Sequence, residues 1–361
     1  MAQLQPAFTL TPNEIFETLA NMIISQEVFA DNIGKKQTLV DKARVDGSLY
    51  GDTKLYYATD ALESHEWGGD AEATNLLALD RPKDPQVQAI KLDKFRQIRV
   101  TIDNYLTKRA FGDEGTFSSF NSVILGWIRD TKDIYDGTIY NTFIGTTETN
   151  IGKQMVEIDI ASAVGSATGV EANVLEATEV ARSLADLLVK LGDFKRDYND
   201  YGFMRSYANE SIKVIWNSDY INKIKKVDLP VIFNKEGLVD KFEQDAIPAE
   251  YFGTVNTVSK VGTADESVRS LVEQKIGDNH YFPGQPIKTT DTALANTSYT
   301  VDPNVIAKVV VKYPPYMSAM EVGTTFFNPR SLTENHYLTF AHNTLQYLKN
   351  YPFITVKKKK A

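Results

Sequence analysis

A mixed α+β protein of at least two lobes is predicted by three features of the sequence. Residues 117–143 and 171–194 carry apolar side chains at three- and four-residue steps, the spacing of amphipathic helices. Residues 53–58, 97–102, 154–160, 211–216 and 306–312 are rich in β-branched and aromatic residues, which marks strands. The 361 residues exceed what one ordinary core accommodates, so the chain divides into lobes. A composition of 42% hydrophobic and 24% charged residues supplies sizeable cores and excludes a disordered chain.

Taken in order, Thr11-Pro12-Asn13-Glu14 reads as a capping box with proline at the first helical position. It opens a helix to about Ala30, an N-terminal arm that the turn residues Asp31 to Lys36 close. Strands at 53–58 and 97–102 then bracket about forty residues rich in Gly, Asp, Glu and Pro, including HEWGGDAEATNLLALDRPKDP. A connection far longer than about 15 residues is unusual inside a compact domain unless it is functional or disordered. Trp67, Leu76, Leu77 and Leu79 sit in it with no local core to enter, and they are the candidate contacts to another subunit.

The stretch SFNSVILGWIRDTKDIYDGTIYNTF, residues 119–143, belongs to the first long helix. Phe117, Phe120, Ile124, Trp127, Thr131, Ile134, Tyr135 and Phe143 form its expected apolar stripe, and Arg129, Asp130, Lys132 and Asp133 its polar side. Over 117–143 it would be about 40 Å long, with Gly137 a weak point or bend. Residues 154–160 alternate, placing Val156, Ile158 and Ile160 inward. The linker AVGSATG follows, and a domain boundary is expected there. The second helix shows Val174, Ala177, Ala181, Leu184, Leu188 and Leu191 on one stripe. Asn217-Ser218-Asp219 ends a strand at 211–216 and caps a short helix at 220–226. Residues 227–300 read as loop-rich. A strand at 306–312 comes next, and YLTFAHNTLQYLKNYPFITV closes the chain with two or three short strands, or a strand and a short helix.

Several chemistries are excluded. The net charge of −8 opposes a surface that neutralises nucleic-acid phosphates. The dense basic run Lys357 to Lys360 reads as a solvated tail, with contact to nucleic acid or another acidic surface as the other reading. With no cysteine, disulfides, thiolate metal sites and thiol nucleophiles are absent, and a reducing compartment is the simplest home. MAQLQPAFTL has no signal-peptide pattern, and no window approaches about 18 uninterrupted apolar residues, so neither secretion nor a membrane partner is expected. Gly145 to Lys153 imitates a phosphate loop but has six residues between its glycines and precedes a strand, where the phosphate loop has four and precedes a helix. The histidines 65, 280, 336 and 342 have no metal-binding spacing, and no G-x-S-x-G elbow occurs. His65, Glu66 and Asp70 make a polar cluster best explained as a solvated loop face. Tyr198-Asn199-Asp200-Tyr201 suits a binding surface or a domain or subunit boundary. No catalytic, cofactor or metal residue is assigned.

Three stretches, TFSSFNSVILGWIRDTKDIYDGTIYNTFIG, SIKVIWNSDYINKIKK followed by VIFN, and FFNPRSLTENHYLTFAHNTLQYLKNYPFITV, resemble the major capsid proteins of tailed bacteriophages with the Hong Kong 97-type fold. The wording is most similar to the head proteins of small podophages of Gram-positive bacteria. The resemblance covers the chain from about Pro85; before that only the arrangement matches. It implies a Hong Kong 97-like fold with a long spine helix at 115–145 and an extended β-hairpin loop at 47–104 lying over a neighbour. It implies an N-terminal arm at 1–46, a peripheral domain from 105–164 and 326–361, and an axial domain at 165–325. It implies pentamers and hexamers of an icosahedral head around double-stranded DNA, assembled in the host cytoplasm, with a portal and without an enzymatic role or cofactor. The helical arm begins too early for a cleaved scaffolding segment, so a separate scaffold protein is expected. The Lys–Asn crosslink of some members matches no pair here, so a non-covalent shell is expected. An encapsulin-like compartment is the alternative on the same fold. A hydrolytic enzyme is the alternative of another class.

Overall fold

The computed structural model describes residues 39–46, 53–64, 81–103, 114–147, 154–221, 243–257, 267–288 and 295–359. A short helix α1 (Leu39–Ala43) runs into strand β1 (Arg44–Asp46). Strands β2 (Thr53–Ala58) and β3 (Gln86–Asp103) precede the long helix α2 (Glu114–Thr146). Strand β4 (Met155–Ile158), helix α3 (Ile160–Val164) and helix α4 (Gly169–Gly192) lead to β5 (Lys213–Asn217). Six short strands follow: β6 (Glu243–Ile247), β7 (Gly253–Val255), β8 (Val268–Ser270), β9 (Gln274–Ile276), β10 (Asn279–Tyr281) and β11 (Ser298–Val301). The chain closes with β12 (Val305–Val310), β13 (Tyr316–Asn328), β14 (Thr333–Asn343) and β15 (Phe353–Lys358). The helix expected over 11–30 lies outside the described residues.

A central sheet has the order β4-β15-β12-β5-β6. Its middle strand β12, VIAKVV, is buried at every position, as a strand covered on both faces must be. Alternation sorts the neighbouring side chains. Val214 and Trp216 of β5 join the α4 residues Ala177, Val180, Leu184, Leu187, Leu188 and Leu191 in one core cluster. Ile215, between them, joins Tyr140 and Ile144 of α2 and Leu39, Val40 and Ala43 of α1 in another. The sheet is thus the middle layer between two helices. Of the stripe expected on α4, Val174 and Ala181 are half-buried, while Val180 and Leu187 are added to it. Strand β4 stops two residues before expected because Asp159 caps α3, its carboxylate accepting from the Ser162 N–H at 3.0 Å. That helix takes in Ala163 and Val164, the first two residues of the expected linker. Since β4 and β15 pair into the same sheet as β5 and β12, the sheet bridges the boundaries expected at 164/165 and 325/326.

A second five-stranded sheet has the order β1-β13-β14-β3-β2. The strand expected at 97–102 is the distal third of an 18-residue strand, whose proximal part pairs antiparallel with β2 from Thr53↔Lys91 to Ala58↔Gln86. Its distal part pairs with β14. Sequence reading finds β2 to the residue and misses β13, whose TTFFN alternates no polar with apolar residues.

Helix α2 has 33 residues, about 50 Å at the usual rise. Gly137 is buried inside it and interrupts nothing. The expected apolar stripe needs correction. Ile128, Lys132, Tyr135, Asp136, Tyr140 and Ile144 are buried, whereas Trp127 and Ile134 are 40% and 38% exposed. Lys132 and Asp136 neutralise each other one turn apart, Nζ to Oδ2 2.8 Å, so the pair turns inward and the stripe shifts round the helix by one residue. The side chains of Phe117, Phe120 and Ile124 lie outside the described residues. Gly145 belongs to this helix, not to a phosphate loop. A Cβ there would fall 2.0 Å from the Tyr251 carbonyl oxygen, so only glycine permits the approach of the loop before β7.

The expected loop region 227–300 contains β6, the edge strand of the central sheet, and β7 to β11, too short for a periodic signal, in a three-stranded and a two-stranded sheet. The lysine run is not a solvated tail over its described part. Lys357 and Lys358 end β15, and the ammonium groups of Lys357, Lys358 and Lys359 meet Asp302 at 3.6 Å, Glu176 at 2.6 Å and Asp159 at 3.4 Å. Acidic residues supplied by three other segments of the chain could not be read from the run itself.

Candidate assembly surfaces

The β2–β3 hairpin shows how alternation builds a surface. Tyr56, Ala58, Gln88 and Ile90 point to the body, and Leu55 (49% exposed), Tyr57 (65%) and Val87 (47%) point to solvent. Leu55 faces Ala89 and Tyr57 faces Val87 across the ladder, so these side chains form one continuous apolar patch. Gln88 holds the hairpin to the body through both ends of its amide: Nε2 donates to the Tyr347 carbonyl at 2.9 Å, and Oε1 accepts from the Lys349 N–H at 3.0 Å.

Just beyond β2 the chain is pinned. The Asp60 carboxylate accepts from Arg196 at 2.5 Å and from the Met204 N–H at 3.0 Å, while Arg205 donates to the Thr59 carbonyl. The Arg196 hydrogen bond, with the Met204 N–H, holds the Asp60 carboxyl well below the usual carboxylate range. Asn199, from the tyrosine pair singled out in the sequence, folds this loop on itself: its side chain bonds both the N–H and the carbonyl of Phe203. Leu62, two residues past the pin, is exposed.

At the far end of the same sheet the β13–β14 hairpin exposes Val322, Phe326, Phe327 and Leu332. Consecutive phenylalanines on a strand point to opposite faces, and both are open, at 60% and 48%. Leu332 takes a left-handed backbone, φ 54°, in the turn that joins the strands.

Where α2 crosses this sheet, a buried polar cluster joins helix, sheet and β1. Asp136, fully buried, accepts from Lys132 Nζ at 2.8 Å, Tyr316 Oη at 2.6 Å and Arg44 Nη2 at 3.3 Å. Burial, reinforced by Asp136, pushes the Tyr316 phenol far up, so it remains a donor. His342 Nδ1 lies 2.9 Å from the Asn343 carbonyl oxygen, which only accepts, so Nδ1 carries the proton. Nε2 then accepts from the Tyr135 hydroxyl at 2.9 Å. Burial holds His342 below the ordinary imidazole range.

The residues singled out from sequence as intersubunit contacts, Trp67, Leu76, Leu77 and Leu79, lie outside the described residues, as do His65, Glu66 and Asp70. Sequence reasoning missed the Phe326-Phe327 pair, although two adjacent aromatics beside a turn signal, Asn-Pro, are legible as a hairpin with an apolar residue on each face. It also missed Asp136. The i, i+4 spacing to Lys132 was visible, but only the fold brings Arg44 and Tyr316 to it. Among the described residues no group of three or more His, Cys, Asp or Glu side chains is placed to hold a metal ion, and no helix is long and apolar enough to cross a membrane.

No protein-family model matches the chain, and no curated protein matches it. Its architecture nonetheless recurs among solved structures. A chain of the capsid structure of Staphylococcus phage Andhra superposes with a TM-score of 0.59 at 9% identity, over 99% of this chain and 89% of that one. The chain shares its fold with a phage capsid structure. A chain from the structure of the head fiber and inner core protein gp22 of native bacteriophage P68 matches with a TM-score of 0.54 at 11% identity, over 87% of this chain and 83% of that one.

Proposed function

We propose that this chain is a major capsid protein of a tailed phage, with the Hong Kong 97-type fold and most like those of small podophages of Gram-positive bacteria. In this reading it self-assembles into pentamers and hexamers of an icosahedral head around double-stranded DNA, in the host cytoplasm, with a separate scaffold protein and a portal as partners. The observation that carries the reading is the end-to-end likeness to the Andhra capsid chain, which leaves almost no part of this chain without a counterpart. The exposed apolar residues at both ends of the second sheet support it, because such patches on a subunit are covered by its neighbours.

In the same reading α2 is the spine, residues 47–104 are the extended loop, residues 105–164 with 326–361 are peripheral, and 165–325 are axial. The central sheet, with β4 and β15 in it, then staples the axial part to the spine. The apolar patch of Leu55, Tyr57 and Val87 and the tip at Phe326 and Phe327 are intersubunit contacts, alongside Trp67, Leu76, Leu77 and Leu79. The shell is held non-covalently, as many repeated interfaces of modest area. Its net charge of −8 suits a wall that must not grip the DNA packed against it.

The test is expression of the full chain, alone and with a co-expressed scaffold, followed by sedimentation and electron microscopy. Closed megadalton particles or rings of five and six subunits are expected. A persistent monomer under every condition, with a saturable small-ligand site, overturns the proposal.

A further inference from the structure

The α1–β1 segment is held at the helix–sheet junction by a relay that ends on a buried imidazole. Arg44 pairs in register with Tyr316 and donates to Asp136. Tyr316 donates to the same carboxylate and stacks on His342, ring centroids 5.6 Å apart and planes 23° from parallel. His342 is 3% exposed and is satisfied as a neutral ring on both nitrogens. It therefore has no acceptor waiting for a second proton.

The charges around it make a proton costly. Helix α2 presents Lys132 and Asp136, β1 presents Arg44, and β3 presents Arg96, whose guanidinium lies 5.4 Å from the Tyr135 ring centre. Two further acids are already committed: Asp93 of β3 to the Thr344 N–H and hydroxyl, both at 2.6 Å, and Glu273, just before β9, to Arg96 at 3.4 Å. Lys94 of β3 stands opposite His342 in the register. Each of these carboxylates is thus already engaged before any imidazolium forms. An imidazolium Nε2–H would also point at the Tyr135 hydroxyl, forcing that proton to turn away.

From this geometry we infer that protonation of His342 releases the α1–β1 segment from the junction, so that residues 39–46 act as an acid-sensitive latch. The segment is the part that yields for two reasons. β1 is a three-residue edge strand bonded on one side only, and Arg44 is the most exposed partner of Asp136, with 35% of its side chain open. Releasing it removes one cation from the cluster and lets Tyr316 move with the ring it stacks on. Helix α2 and β14 are tied into core clusters at several turns and register positions. By contrast, α1 adds Leu39, Val40 and Ala43 to the α2 cluster and Lys42 pairs with Asp245 at 2.6 Å, so beyond the β1 pairing the release costs those contacts alone.

Hydrogen exchange of the full chain between pH 7.5 and 5 tests the latch, with rates corrected for the intrinsic pH dependence of amide exchange. In the wild type the opening constant of 39–46 is expected to rise by up to about tenfold per pH unit below about 6.5, the slope of one linked proton, while β12 stays protected. His342→Gln, which retains a donor and an acceptor but does not titrate, is expected to flatten the profile. Arg44→Gln is expected to leave the segment open at every pH. A wild-type profile that is flat for 39–46, a His342→Gln profile as steep as the wild type, or an equal rise in β12 overturns the inference. The measurement reads one chain and is independent of whether particles form.

Discussion

Both large sheets have five strands, yet the molecule treats them oppositely. The central sheet is short-stranded and covered on both faces, with α4 on one side and α1 and α2 on the other, and its middle strand exposes nothing. The second sheet has strands of 18, 13 and 11 residues that outrun the helix lying on them, and Tyr57 and Phe326 stand open on them. Burial per residue, not strand length, stabilises a sheet. The central sheet is where this chain keeps its stability, and the second is where it offers surface. Helix α2 serves both, its C-terminal half against the first and its middle against the second.

The largest effect expected in a single chain is at the seam between the two. Asp136→Ala leaves Lys132 and Arg44 without their shared carboxylate, and breaking a buried pair costs about 3–5 kcal/mol; urea unfolding should show a loss of that size. Within the covered sheet, Ile354→Ala, fully buried on β15, should cost about 2–5 kcal/mol. If it cost no more than a surface substitution, the central sheet would not be the stable one.

A pH titration follows. The folded state holds His342 below its ordinary value through burial, so the unfolded chain takes up the proton first, and stability falls as pH drops below about 6.5, by at most about 1.4 kcal/mol per pH unit. Asp60 is held low instead. Its contribution is present above the ordinary carboxylate range and fades only as pH falls below about 3.9, so the pin beside β2 should outlast the His342 contact in acid. Smaller still is Lys358→Ala, which breaks a partly exposed pair with Glu176 and should cost under about 1 kcal/mol, less at high salt.

The smallest stability change is expected on the open sheet. Replacing Phe326 and Phe327 together by Ser should shift unfolding of the isolated chain by no more than about 0.5 kcal/mol per site while abolishing particles seen by sedimentation. A large loss of stability would place these residues in a core of their own.

The pattern of agreement follows the range of the interactions. Strand β2 and most of the α4 stripe were legible because period-two and 3.6-residue patterns are written locally. The inward face of α2 was misread because Lys132 is polar by type, and only its pairing with Asp136 makes burial tolerable. The lysine run was misread for the same reason: Asp302, Glu176 and Asp159 come from distant segments. The short strands β7 to β11 carry too few residues to show a period at all. For the candidate surfaces, Phe326 and Phe327 were readable as a pair but not as exposed, since exposure depends on how far the β13–β14 hairpin overhangs its support.

By itself the sequence determined the α+β character, the long helix and its extent to within a few residues, the second helix with its apolar stripe, and the absence of thiol chemistry. These follow from the order and type of neighbouring residues. Only the tertiary structure decided which face of the long helix is inside, which acids hold the terminal lysines, and that β4 and β15 enter one sheet with β5 and β12. Each of those depends on residues far apart in the chain, and a charge or an aromatic ring has no fixed place until the fold brings its partner to it.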